Sequence, residues 1–485
     1  MPSYTVEVNQ STAFRMLPVG QEIVIALSSD LCVANEQNVK FCFLIKVLQT
    51  GSNVQTIGTF KTTPNNEGVG MIDISDIVQN HVSADNLATD DSRFKGLGAH
   101  GKPIPIHIID RFSRAANAVR IVTVNGYVEY TDTSGDIQQD GNSQVAEVTI
   151  INGYVKHSNL LRWTAETFTG DAFGIGFSLE DFAIQTGSAK KFLTNSPSTL
   201  YAQTGDYGTL SYLQVQSIDE SVHDDVRNIK IKMYPEYDAG GTIIGTVESE
   251  RTEPGGAYDG GNGFSHSSNW ILYFGAFPAN LKAWSDEFND ALNDTMKSYT
   301  IGAYDVTDTL ISELKTVNIL CPNLKGFEQV RLTWLNQWGT WDYFTFNQKS
   351  VKTIATKGTT YQQLGGTWNG EVNDPFGYKG GKKSFRVNGT EKIKMNTDYV
   401  TEEHSEWFEE LINSPEIYIL KYWESPRQVA AVVMGSGITV KSMSQYATPV
   451  RLTTTSFTKK TVANDKLIQY TFEVEKSKTL RTQAI

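Results

Sequence analysis

Residues Phe327–Ser350 read FEQVRLTWLNQWGTWDYFTFNQKS and hold three of the nine tryptophans in the chain. Val330, Leu332 and Trp334 alternate with Arg331 and Thr333, the period-two pattern of a strand that buries one face. Asn336-Gln337-Trp338-Gly339 reads as a turn, with Gly339 free to take positive φ. Trp341, Tyr343 and Thr345 then alternate with Asp342, Phe344 and Phe346 in a second strand. Rings fall on more than one face of this hairpin, so it is expected in a core or at a contact between subunits. Trp334, Trp338, Trp341, Tyr343, Phe344 and Phe346 are the candidate interface residues.

Upstream, the pattern is that of strands. Residues 1–137 are expected to form an all-β domain, with strands at Glu22–Leu27, Lys40–Leu48, Val54–Phe60, Ile104–Asp110 and Val119–Val128. Met71–Val82 breaks the alternation and predicts a short helical turn capped by Ser75 or Asp76. The Gly/Asp/Gln-rich stretch Ser134–Ser143 marks the first expected boundary. Residues 138–325 read as a β-sandwich region, with a possible division near Ser217–Arg227. Its strands fall at Val145–Ile151, Tyr207–Val215, Ile229–Pro235, Thr242–Ser249, Trp270–Phe277, Tyr299–Tyr304 and Glu313–Leu320. Ala283–Lys297 places Trp284, Phe288, Leu292 and Met296 four apart, the spacing of an amphipathic helix.

Downstream, residues 326–485 form the third expected domain. Gly365–Lys383 contains six glycines and few aliphatic residues, and is expected to be a mobile loop whose Trp368, Phe376 and Tyr378 dock on a partner. Thr401–Ile412 predicts a helix, with Thr401 as cap, Glu402 and Glu403 in its first turn and Asn413-Ser414-Pro415 ending it. Strands follow at Ile417–Trp423, Val429–Met434, Gly437–Val440, Pro449–Phe457 and Lys466–Glu475. The fold class that results is mainly β. Tandem antiparallel sandwich-like domains precede a C-terminal antiparallel β-domain that packs one helix. Its element order is analogous to phage tail-tube and hub domains.

Composition narrows the function classes. The 485 residues carry a net charge of −12 with no long block of like charge, which argues against direct nucleic-acid binding. No apolar run is long enough to span a bilayer, and MPSYTVEVNQSTAFRML lacks the pattern of a signal peptide. Cys32, Cys42 and Cys321 are too few and too scattered for a disulfide framework or a zinc site. The expectation is buried thiols in a protein made in a reducing cytoplasm.

Motifs for chemistry are weak. The seven histidines (His81, His100, His107, His157, His223, His266 and His404) show no metal-ligand spacing, and His404 is expected at the edge of the helix's apolar stripe. Gly174-Ile175-Gly176 lacks the rest of a dinucleotide fingerprint. Asp219/Glu220 and Asp224/Asp225 read as charged loop residues rather than paired acid and base. Pro254–Gly263 lacks the alternate acids of a calcium loop. No catalytic residue, metal ligand or cofactor is expected.

VRLTWLNQWGTWDYFTF resembles a motif in virion proteins of tailed bacteriophages and prophages of Bacteroidetes hosts, a family with no assigned biochemical role. Asn38–Val82, KKFLTNSP (Lys190–Pro197), Thr397–Leu420 and VANDKLIQYTFEVE (Val462–Glu475) are similar to it in the same order. The resemblance implies a non-enzymatic structural component of a phage tail, baseplate or neck, assembled in the host cytoplasm. Its expected partners are copies of itself in a ring and neighbouring virion proteins. The alternative is a receptor- or carbohydrate-binding protein of the particle, since exposed aromatic rings stack on sugars. Gly365–Lys383 and the tail Lys476–Ile485 are the segments expected to order on a neighbour.

Overall fold

A computed structural model describes residues 6–10, 16–29, 37–48, 54–88, 104–109, 112–154, 183–184, 190–214, 228–234, 247–252, 270–284, 288–289, 292, 296–304, 309–320, 326–366, 380–421, 447–454, 456–460 and 468–481. The described chain is mainly β, arranged in several sheets with few helices. It divides into two compact units: Met1–Leu320 with Leu335–Asp342 and Glu424–Val440, and Cys321–Trp334 with Tyr343–Trp423 and Lys441–Ile485. The chain thus enters the first unit again at the tip of the aromatic hairpin.

The first unit begins with two facing sheets. One orders Val6–Gln10, Val24–Ser29 and Val69–Asp73; the other orders Met16–Pro18, Ile137–Ile151, Val119–Thr131, Gln37–Leu48 and Val54–Thr62. Alternation does the sorting: Val122, Val124 and Val128 turn inward with Phe41, Phe43, Ile45, Val47, Val148 and Ile150, and meet Ile25 and Leu27. The sheets approach closely at Gly70, where a Cβ would lie 2.4 Å from the Phe41 ring. The helical turn Ser75–Val78 closes one end, burying Val78. Neither Ser75 nor Asp76 caps it as expected. Asp73 does this instead, its Oδ1 accepting from Ser75 N and Ile23 N, both at 3.0 Å.

The boundary expected at Ser134–Ser143 is not a linker. Val119–Thr131 and Ile137–Ile151 pair as one long antiparallel hairpin, and that stretch is its turn and outgoing strand. Asp132 Oδ1 accepts from Ser134 N and Asp136 N at 2.9 Å, and Gly135 takes φ 87°. Turn-forming residues mark a tight reversal as readily as a domain junction. The strand Phe112–Arg114 also pairs with Trp270–Gly275, joining the first 137 residues to the later sheets.

Those later sheets are four-stranded (Ala183–Ile184, Thr209–Gln214, Trp270–Gly275, Phe112–Arg114) and five-stranded (Thr199–Ala202, Lys315–Ile319, Ser298–Tyr304, Asn228–Tyr234, Val247–Thr252). Ile104–Asp110 is not one strand: Ile104–Pro105 is followed by a 3-10 turn at Ile106–Ile108. A helix spans Pro278–Trp284, where Pro278 suits a first helical position, and within the expected Ala283–Lys297 segment the described residues Phe288, Asn289 and Leu292 are helical. Phe288 and Met296, expected on the apolar stripe, are buried. Ser217–Arg227, Val429–Met434, Gly437–Val440 and Trp163 lie outside the described residues.

One seven-stranded antiparallel sheet carries the strands of the second unit, together with Leu335, Trp341 and Asp342 of the first. Its order is Trp341–Phe346, Val330–Leu335, Ile417–Leu420, Ala447–Leu452, Thr471–Lys476, Gly381–Asn396 and Val351–Gln363. The helix Glu402–Asn413 buries His404, Ser405, Trp407, Phe408 and Leu411. Thr401 is extended, as a cap residue must be, but its hydroxyl meets His404 Nδ1 at 2.9 Å rather than a backbone N–H.

Candidate assembly surface

The hairpin tip is held inside the first unit. Asn336 Oδ1 accepts from Trp338 N at 3.0 Å and Thr340 N at 3.1 Å, and Asn336 Nδ2 donates to Leu193 O at 2.9 Å. Gly339 has φ 74°, and a Cβ there would stand 1.8 Å from Asn152 O. Trp338 and Trp341 are buried. The Trp341 indole packs edge-on to His107, with ring centroids 5.1 Å apart.

Asp342 accepts from Thr194 Oγ1 at 2.7 Å. Nearby, Lys315 Nζ donates to Ser196 O at 2.8 Å and lies 3.3 Å from Glu313. Burial holds the Lys315 ammonium below its usual range, with Glu313 and Asp342 pulling the other way.

The remaining rings of the hairpin belong to the second unit. Trp334 lies 5.0 Å from Trp407, and Phe344 lies 4.9 Å from both Phe346 and Phe408, measured between ring centroids. Phe346 also meets Phe472. On the opposite face the Arg331 guanidinium sits 5.5 Å from the Tyr343 ring centroid and donates to Thr345 Oγ1 at 2.7 Å. Trp334, Trp338, Trp341, Tyr343 and Phe346 are buried and Phe344 is half-buried. Five of the six candidate interface residues are therefore core side chains within one chain, and the half-buried Phe344 packs on Phe346 and Phe408.

A different element is left open. Val351–Gln363 and Gly381–Asn396 pair along a long antiparallel ribbon at the edge of the sheet. Val351–Gln362 is exposed at every position, and so is Gly381–Val387. Ordinary sheets cover at least one face; this ribbon covers neither along that length. Its exposed large apolar side chains are Val351 (42%), Ile354 (59%), Tyr361 (44%), Phe385 (55%) and Val387 (45%), with Leu480 (49%) beside it.

The sequence reading placed a loop at Gly365–Lys383, but Gly381–Lys383 is already strand; Trp368, Phe376 and Tyr378 lie outside the described residues. The tail was expected to order on a neighbour. Up to Arg481 it docks on its own unit: Leu480 exchanges two 2.8 Å backbone hydrogen bonds with Gly389, and Arg481 Nε donates to Asn388 Oδ1.

The sequence pattern misses the ribbon because its edge strand, Val351–Gln363, carries only isolated aliphatic residues among threonines and lysines. Without a buried face, no strong alternation is written. A signal was nevertheless present: Thr353, Thr356, Thr359 and Thr360 are β-branched, and glycine-rich sequence follows.

Titratable groups add little chemistry. His404 is buried among the helix aromatics, and desolvation lowers its pKa to about 4. Burial pushes the Cys42 thiol up. Cys32, Cys321, His100, His157, His223, His266, Gly174–Gly176, both carboxylate pairs and Pro254–Gly263 fall outside the described residues. Among the described residues no group of three or more His, Cys, Asp or Glu is placed to hold a metal ion. Among them, too, no helix is long and apolar enough to cross a membrane.

No family model and no curated protein matches the sequence. Among solved structures, the chain is similar to the fibronectin(III)-like modules of Clostridium thermocellum CbhA at 10% identity, covering 67% of this chain and 98% of that one, with a TM-score of 0.14. At that score the likeness carries no argument about role.

Proposed function

We propose that this chain is a non-enzymatic structural component of a bacteriophage virion that self-associates into a ring in the tail, baseplate or neck. One observation carries the self-assembly: a ribbon at the sheet edge is exposed on both faces and bears aliphatic and aromatic side chains. Such a ribbon is a hazard in a lone molecule and a ready contact in an assembly. The phage setting comes from the resemblance of VRLTWLNQWGTWDYFTF and the four other segments. Closed rings follow when one patch meets a different patch on the next copy at a fixed rotation. The proposed site of action is the virion, with neighbouring tail or neck proteins as further partners.

Electron microscopy of the purified full chain tests the reading. Closed rings are the expected result; a monomer at every concentration would overturn it. A second reading, a glycan-binding protein of the particle, is favoured by one feature. The Tyr361 and Phe385 rings are exposed and lie 6.4 Å apart, and such rings stack on sugars. Capture of a glycan by a monomer, abolished by Tyr361→Ala, supports that alternative.

A further inference from the structure

We propose that the ribbon docks on a second copy of this chain, through a patch of Ile354, Val387 and Leu480 and along the free edge of Val351–Gln363. The proposal rests on the self-assembly reading and names its surface.

The register builds the patch. Ile354 stands opposite Glu391, Thr356 opposite Gly389 and Gly358 opposite Val387. Opposite residues share a face, and so do alternate residues of one strand. Ile354 and Val387 therefore lie on the same face. Leu480 bridges to Gly389 from the other side. A Cβ on Gly389 would lie 3.2 Å from Leu480 Cβ, so Leu480 stands on that face too. Gly358 and Gly389 leave the floor between these aliphatic side chains low. A Cβ added at Gly358 would find Val387 no nearer than 3.5 Å. The result is a shallow apolar seat across three adjacent segments, fit for a partner's side chain.

Two further features choose the occupant. The ribbon strands Val351–Gln363 and Gly381–Asn396 carry Lys352, Lys357, Lys382, Lys383, Arg386, Lys392 and Lys394 against one carboxylate, Glu391, which pairs with Lys476, in a chain of net charge −12. A basic arm on an acidic protein is complementary to another copy of that protein. Among the described residues Val351–Gln363 is also the last strand of its sheet, and it offers an outer row of backbone groups to an incoming strand. Lysines on an edge strand can serve merely to keep it solvated, and Lys352 pairs with Glu328. That account leaves the half-exposed Ile354, Val387 and Leu480 without a reason. Nucleic acid would take the cations but leave the aliphatic seat in water. A protein surface satisfies both.

The test uses the full chain in sedimentation velocity over a wide concentration range. The Ile354→Asp/Val387→Asp double variant is compared with wild type and with an Ile354→Val/Val387→Ile control. The wild type and control are expected to associate, with weakening as salt is raised. The Asp variant is expected to associate at least about tenfold more weakly, with unchanged circular dichroism and melting midpoint, because both side chains are already half exposed. Hydrogen exchange on the wild type gives a second readout free of mutation. Amides of Val351–Gln363 should become protected in the assembled fraction relative to the dilute one. Assembly of the Asp variant as strong as wild type, or no added protection, overturns the ribbon contact while the self-assembly reading stands. A wild type that stays monomeric, including one that binds duplex DNA as a monomer, overturns both.

Discussion

The indole N–H of Trp341 donates to the carbonyl oxygen of Asp85 at 2.7 Å, tying together residues 256 positions apart. The same Asp85 holds the backbone N–H groups of Ala116 and Asn117 on its Oδ1, at 3.0 and 2.7 Å. One aromatic ring from the hairpin tip thus reaches a loop that the first unit has already ordered. Trp341→Ala is expected to destabilise the chain by roughly 3–5 kcal/mol, from lost burial and the cavity left behind. Trp341→Phe keeps much of the volume but leaves the carbonyl unpaired, and should cost about 1–3 kcal/mol. Urea unfolding of the purified variants gives both values.

Two glycines of positive φ should respond differently. At Gly135, with φ 87°, an added Cβ would find nothing within 4 Å, whereas at Gly339 it would strike Asn152 O. Gly135→Ala therefore meets only the left-handed backbone penalty, about 1 kcal/mol. Gly339→Ala meets that penalty and a backbone collision, so it should cost several-fold more or leave the chain insoluble. Thermal melting of the soluble fractions separates the two.

Acid should weaken the second unit through His404. Its folded pKa is lowered to about 4 from 6.5 by burial, so the unfolded chain takes up a proton that the folded chain refuses. The contribution is fully present above pH 6.5 and is lost as pH falls through that value towards 4. The loss reaches up to roughly 3 kcal/mol. His404→Asn should flatten the stability profile in that window relative to wild type. Parallel slopes for the two proteins would contradict the assignment.

The connection beyond the ribbon should be dispensable for folding. Its described ends are close: a Cβ on Gly380 would lie 2.7 Å from Gly365 Cα. Replacing residues 367–379 with two glycines should therefore leave the melting midpoint within about 1 °C of wild type, since a shorter loop changes closure entropy only slightly. A large drop would show that the segment packs on the fold.

Much of the architecture was readable from local pattern. The aromatic hairpin, the helix Glu402–Asn413 and strands such as Val119–Thr131 announce themselves because one face must be buried and the side-chain period is short-range. The boundary near residue 137 and the role of the six hairpin residues were not readable in the same way. Gly135 and Asp132 encode a reversal, and whether a reversal links paired strands or separate domains depends on residues far away. Likewise an aromatic ring encodes a need for burial without naming what covers it.

By itself, then, the sequence determined the mainly β class, the turn at Gly339 and the apolar stripe of the helix, all set by neighbours a few residues apart. Only the tertiary structure decided that Trp341 ends against Asp85, that the tail folds back on Gly389, and that the ribbon stands exposed on both faces. Those outcomes are sums over contacts between distant segments, and no local pattern carries them.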